Sequence, residues 1–138
     1  GVAAAFMLGA VGVQLGTRFL VAKECGVHQN YKNKVLKAND IATMTTGKRL
    51  GHPVRSIKNP YTKEYFRLEY SSISDEELEA YGRGALRRAA VEGDEKTGCF
   101  LAGQIAGMVN REQPAKEIIE EIFREAEDVL NGATKWVK

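Results

Sequence analysis

The sequence predicts an α/β chain in which a buried parallel strand runs directly into a helix and further helices follow. Three observations carry that prediction. Val11 to Leu15 is short, apolar and bounded by glycine, the pattern of a strand covered on both faces. Gly16-Thr17-Arg18 then turns the chain into a short helix beginning over Phe19 to Lys23. Near the other end, Ile118, Ile119, Ile122, Phe123, Ala126, Val129 and Leu130 recur at helical spacing as one apolar stripe.

The remaining elements follow in chain order. Residues 2–8 favour helix, and Gly9 suits the position just beyond its end. Residues 30–38 form another helix, with Tyr31, Val35 and Leu36 on one face. Two short extended stretches, Ile41 to Thr46 and Pro53 to Ile57, flank a turn bracketed by Gly47 and Gly51. Pro60 suits the opening of a helix. Ser74 and Glu77 make a capping box, and Leu78, Tyr81, Ala85, Leu86 and Ala89 continue it until Gly82 and Gly84 weaken the run. Gly93-Asp94 is a turn, and residues 103–109 form a short helix. Pro114 and Gly132 suit the two ends of the last helix. Tyr81 and Trp136 are expected to pack.

Composition excludes several classes. The 138 residues suggest one domain; 43% are apolar and 28% charged, unlike a disordered chain or a polytopic membrane protein. Lys and Arg number 20 against 18 Asp and Glu, so no net charge of +2 advertises a nucleic-acid partner. The first residues lack the basic start of a signal peptide, and Gln14, Gly16, Thr17 and Arg18 interrupt any membrane span. Two cysteines, Cys25 and Cys99, form no framework, which fits a reduced, cytoplasmic setting. The charge is unevenly spread: residues 21–70 carry a net +6 and residues 71–138 a net −5. Either these are solvated helix faces, or Lys32, Lys34 and Lys37 belong to a basic surface that attracts an acidic partner.

The segment with most chemistry is Gln14-Leu15-Gly16-Thr17. A strand that ends in Gly-Thr and opens a helix presents unpaired N–H groups and a positive dipole end, a setting for phosphate. An ordinary glycine turn explains the same residues equally well.

The run AAAFMLGAVGVQLGTRFLVAKEC (residues 3–25) resembles the last barrel unit of the flavin-dependent family of enoyl-acyl-carrier-protein reductase II and nitronate monooxygenase. The resemblance continues through HQNYKNKVLKA (28–38), GHPVRSIKN (51–59), GALRRAAVEGD (84–94) and LAGQIAGMV (101–109). The HQNYK and AGQIAG runs look closer to the reductase. The resemblance implies an FMN-binding (β/α)8 barrel with a small inserted cap. Residues 1–40 would then hold the last βα unit and the phosphate turn, 41–95 the cap, and 96–138 a pocket segment and the final barrel helix. Gln14, Leu15, Gly16 and Thr17 match the family's FMN-phosphate motif. Ala102, Gly103 and Gln104 match a segment at the flavin and substrate pocket. The implied reaction is NADH- or NADPH-dependent reduction of enoyl thioesters carried on acyl carrier protein, with nitronate oxidation as the alternative within the family. A homodimer is the assembly considered.

The family's N-terminal strands, its catalytic histidine and its second phosphate strand have no counterpart here, and a complete barrel needs about 250 residues. The expectation is therefore a C-terminal portion of a longer or split protein, inactive alone and poorly soluble or oligomeric when isolated. Neither His28 nor His52 matches the catalytic histidine, so no catalytic residue is assigned. A non-catalytic helical binding module is the reading outside the family.

Other constellations carry less. Cys25, His28, His52 and Cys99 lack the second close pair of a zinc site, so no metal is expected. Cys25 as a nucleophile would need an activating base. Asp75, Glu76, Glu77 and Glu79 suit a helix N-terminus without further chemistry. Arg55 and Asn59 either tie the extended pair together or touch a ligand.

Overall fold

The computed structural model describes residues 1–136, apart from the side chains of Thr134 and Trp136. The expected packing of Trp136 therefore lies outside the described residues. The chain opens with α1 (Val2–Met7) and continues through an irregular segment into α2 (Thr17–Leu20) and α3 (Gln29–Leu36). A hairpin of β1 (Thr43–Thr46) and β2 (Val54–Ile57) follows, then α4 (Pro60–Glu69), α5 (Asp75–Gly82) and the short α6 (Ala85–Arg87), which runs on as a π turn over Arg88–Glu92. A 3-10 turn over Gln104–Met108 precedes the longest element, α7 (Ala115–Gly132).

Local chemistry explains most of these boundaries. Ser74 and Glu77 close the capping box of α5, and α4 has a second box in which the Asn59 side chain accepts from the Thr62 N–H. Asn59 also donates to the Glu95 and Gly98 carbonyls at 3.1 and 2.7 Å, so it ties α4 to the loop before Phe100. Pro114, at the N-cap of α7, brings no N–H; the next amide, of Ala115, is capped by the Glu24 carboxylate at 2.8 Å. That hydrogen bond holds the Glu24 pKa below the usual carboxylate range.

The hairpin is antiparallel, with Thr43 opposite Ile57 and Thr46 opposite Val54. The buried Glu69 carboxylate, at the end of α4, accepts the Gly47 and Arg49 amides at 3.2 and 2.9 Å and pins the turn. Residues 100–102 lie along the other edge of β2. Ile57 donates to Phe100 at 2.8 Å, Ala102 donates to Arg55 at 3.1 Å, and Ser56 pairs with Leu101. Phe100 is fully buried among Val21, Tyr31, Val35, Ile57 and Ala89. A second apolar cluster holds Tyr61, Tyr65, Leu78, Ala85 and Cys99, with Tyr81 stacked on Tyr61.

Gly93 shows how closely these parts approach. Its φ is +62°, and a Cβ there would lie 2.1 Å from His28 Nδ1. The Asn30 side chain donates to the Gly93 carbonyl at 3.0 Å, and the His28 amide donates to Ala90 at 2.7 Å.

The strand expected over Val11 to Leu15 is not formed. The segment has no regular secondary structure and no strand partner, and Val11 is fully exposed. A strand buried on both faces requires neighbours, and the paired strands among the described residues are those of the hairpin. The apolar stripe of α7 is only partly covered for the same reason. Ile118 and Ala126 are buried, Phe123 stacks on Phe6 of α1, and Ile119 and Val129 remain exposed.

Lys32 differs from expectation in the opposite direction. It is buried, its ammonium donates to the Ala22 carbonyl at 2.7 Å, and it pairs with Glu112 at 2.9 Å. Lys34 pairs with Glu95 at 3.0 Å, with its ammonium over the Phe100 ring. Of the three lysines read as a basic surface, Lys37 alone is exposed. No described helix is long and apolar enough to cross a membrane.

Candidate functional site

Residues 86 positions apart meet where α2 begins. The Gly103 N–H donates to Thr17 Oγ1 at 2.9 Å. A hydroxyl that accepts this bond still has its own proton to donate. Beside it opens a groove of about 470 Å³. Gly16 and Thr17 form one side, Leu101, Ala102 and Gly103 another, and Arg55 of β2 a third. A Cβ built on Gly16 would meet nothing within 4 Å, so the backbone there is open to a close ligand.

The structure thus gathers Gly16 and Thr17 of the expected phosphate turn with Ala102 and Gly103 of the expected pocket segment. It does not gather all seven site residues. Gln14 and Leu15 line a second, larger groove of about 710 Å³ together with Arg18, Met108 and Glu121. Gln104 is exposed at the start of its 3-10 turn and lines neither groove. The amides of Ala102 and Gly103 already donate to Arg55 and Thr17, so they are held in place but are not free for a ligand.

Arg18 anchors the α2 side of the larger groove. It donates to the Arg111 carbonyl at 3.4 Å and to the Gln113 side chain. Gln113 in turn donates to Glu121 at 3.0 Å, and Arg111 pairs with Glu121. The Gln113 bond, helped by the guanidinium of Arg111, holds the Glu121 pKa below the usual carboxylate range. This network fixes the helix carrying Thr17 to the start of α7.

Tyr31, Leu20 and Val54 also line the smaller groove, and nothing local in the sequence marks them for it. The Tyr31 hydroxyl donates to Leu101 at 2.7 Å, and burial pushes its pKa well above the ordinary tyrosine value. Cys99 is buried, and burial raises its thiol pKa, while Cys25 is partly covered. No cluster of His, Cys, Asp and Glu able to hold a metal occurs among the described residues.

Comparison with known proteins places the chain in a family. The family model described as nitronate monooxygenase matches residues 1–125. A probable nitronate monooxygenase of Staphylococcus saprophyticus is 30% identical over 95% of this chain and 37% of its own length. Its counterpart in Bacillus subtilis is 28% identical over 91% of this chain and 36% of its own. FabK from Thermotoga maritima superposes with a TM-score of 0.93 at 40% identity, covering 99% of this chain and 43% of that one. A nitroalkane oxidase from Streptomyces ansochromogenes gives a TM-score of 0.74 at 27% identity, covering 94% and 37%. The chain therefore spans well under half the length of each of these relatives.

Proposed function

The chain belongs to the nitronate monooxygenase family, and on that premise we propose that it supplies part of an FMN-binding oxidoreductase that reduces enoyl thioesters. The observation that carries the reading is the Thr17–Gly103 hydrogen bond. It joins the turn that suits a phosphate to the segment that suits a substrate pocket, across one groove. The higher identity to FabK, 40% against 27% for the nitroalkane oxidase, supports reductase over oxidase.

The residues fit a flavin phosphate. Gly16 has no side chain where the ligand backbone contact is needed, and the Thr17 hydroxyl has a proton to donate to a phosphate oxygen. Gln14 and Leu15 belong to the proposed motif through sequence and line the neighbouring groove. FMN, when bound, supplies hydride transfer between a nicotinamide, NADH or NADPH, and the substrate. The chain's own part is to hold the phosphate and to keep residues 101–103 against the groove. Ala102 and Gly103 form part of its wall; Gln104 follows them in the sequence but lies outside the groove lining. A thioester on acyl carrier protein is the proposed substrate form, and Lys37 is the lysine of its group free to meet an acidic carrier.

Thr17→Val tests this in the protein expressed from its complete reading frame. It removes the hydroxyl's hydrogen bond to a charged group and with it the acceptor of the Gly103 N–H, so FMN should be held at least about tenfold more weakly. Undiminished flavin retention would overturn the assignment. The second reading, nitronate oxidation, is favoured by the descriptions of the Staphylococcus and Bacillus relatives. Nicotinamide consumption with a crotonyl thioester supports the first reading; oxygen uptake with an alkyl nitronate supports the second.

A further inference from the structure

Arg55 is the only charged residue lining the smaller groove, and no carboxylate shares that lining. The residue is half-buried, and its guanidinium makes one hydrogen bond with the described residues, from Nη1 to Thr43 Oγ1 at 3.1 Å. It forms no ion pair among the described residues. The other half-buried arginines are better satisfied. Arg18 donates to Arg111 and Gln113, and Arg88 donates to Thr97 and Arg83. Most of the Arg55 donors therefore have no acceptor among the described residues and are left for a ligand in the groove. Its position is nonetheless fixed. The Arg55 carbonyl takes the Ala102 amide, Thr43 takes Nη1, and the antiparallel register holds both strands.

We propose that Arg55 binds a phosphate group of the second substrate, in the groove whose opposite side holds the flavin phosphate. The planar guanidinium fork suits phosphate, and the absence of acid in the lining leaves the charge uncancelled. The groove's volume exceeds the needs of a single phosphate and lies in the range of small-molecule sites. The inference rests on the flavin reading above and adds a specificity residue to it. The phosphate can come from the nicotinamide dinucleotide or from the phosphorylated arm of a thioester carrier; both present the same chemistry to Arg55.

The test uses the protein expressed from its complete reading frame, with Arg55→Met and Arg55→Lys beside the parent. Binding is followed by calorimetry with NADP+ and coenzyme A as non-reacting probes. Nicotinamide riboside and pantetheine serve as phosphate-free counterparts. Arg55→Met should weaken NADP+ or coenzyme A at least about tenfold, while the phosphate-free pair and flavin retention change less than twofold. Arg55→Lys keeps the charge without the fork, so it should give an intermediate loss and guards against an effect of misfolding. A loss confined to NADP+ assigns the nucleotide, and one confined to coenzyme A assigns the carrier arm. Equal losses with and without phosphate, or release of flavin from Arg55→Met, would overturn the proposal. If the parent retains no flavin yet shows the Arg55-dependent binding, the flavin reading fails and this site stands. If it retains flavin and binding ignores Arg55, the reverse holds.

Discussion

Phe100 and Phe123 are both aromatic residues in apolar patterns of the sequence, yet they live in different kinds of structure. Phe100 is wholly enclosed, with β2 hydrogen-bonded along its backbone and Tyr31 edge-on to its ring. Phe123 touches Phe6 and is otherwise half open, on a helix whose Ile119 and Val129 are also exposed. The same division separates the two regions that the sequence marks as strands. β1 and β2 find each other across a short turn, whereas residues 11–15 find no partner among the described residues. An apolar pattern states what a segment is suited to bury. Whether it is buried depends on partners that can lie far away in the chain.

Truncating the two rings breaks or upholds this comparison most directly. Phe100→Ala should lower the stability of the 138-residue chain by about 3–5 kcal/mol, as loss of a fully buried ring does. Phe123→Ala should cost about 1 kcal/mol, the scale of one aromatic contact on an open face. Urea midpoints of both variants decide it. Equal losses would mean that α1 and α7 are packed as firmly as the Phe100 core.

Two glycines sharpen the comparison, because both have positive φ and only one is crowded. Gly9 has φ +93° and nothing within 4 Å of a Cβ, while Gly93 has φ +62° and His28 against it. Gly9→Ala should show the backbone cost alone, about 1 kcal/mol. Gly93→Ala adds displacement of the imidazole and should cost about 2–3 kcal/mol in all. Thermal unfolding of the pair measures the difference. If the two variants match, the His28–Gly93 contact contributes nothing.

Features governed by near neighbours were legible in the sequence. Ser74 and Glu77 announce the α5 box, Gly47 and Gly51 bracket the hairpin turn, and Gly82 and Gly84 mark where the run ends. The Asn59 box was missed, although Asn-Pro-Tyr-Thr contains its signal, an N-cap residue with a hydroxyl three positions on. Glu69 and Lys32 were illegible as buried groups, since their partners lie 10 to 80 positions away. At the site, Gly16 and Thr17 could be read from the turn and Ala102 and Gly103 from family resemblance. Their meeting beside Arg55 is a tertiary fact that local pattern does not encode.

The smallest predicted effect concerns the link between the well-packed side and α7. Glu112 lies just before α7 and receives Lys32 at 2.9 Å and Gln29 at 3.2 Å. Those hydrogen bonds, Lys32's the larger, hold its pKa below the ordinary glutamate value. A lowered folded-state pKa stabilises the fold above the unfolded value, about 4.3, and that contribution is lost as pH falls through the folded value. Glu112→Gln keeps an acceptor for Lys32 but not the charge. Because the carboxylate is partly exposed, the loss at pH 7 should stay below about 1 kcal/mol. The gap between parent and variant should then begin to close as the pH falls below the unfolded value and vanish below the folded one, where both side chains are neutral. A gap that persists unchanged into acid would show that the charge of Glu112 contributes nothing and that the geometry of the Lys32 contact alone joins α3 to the approach of α7.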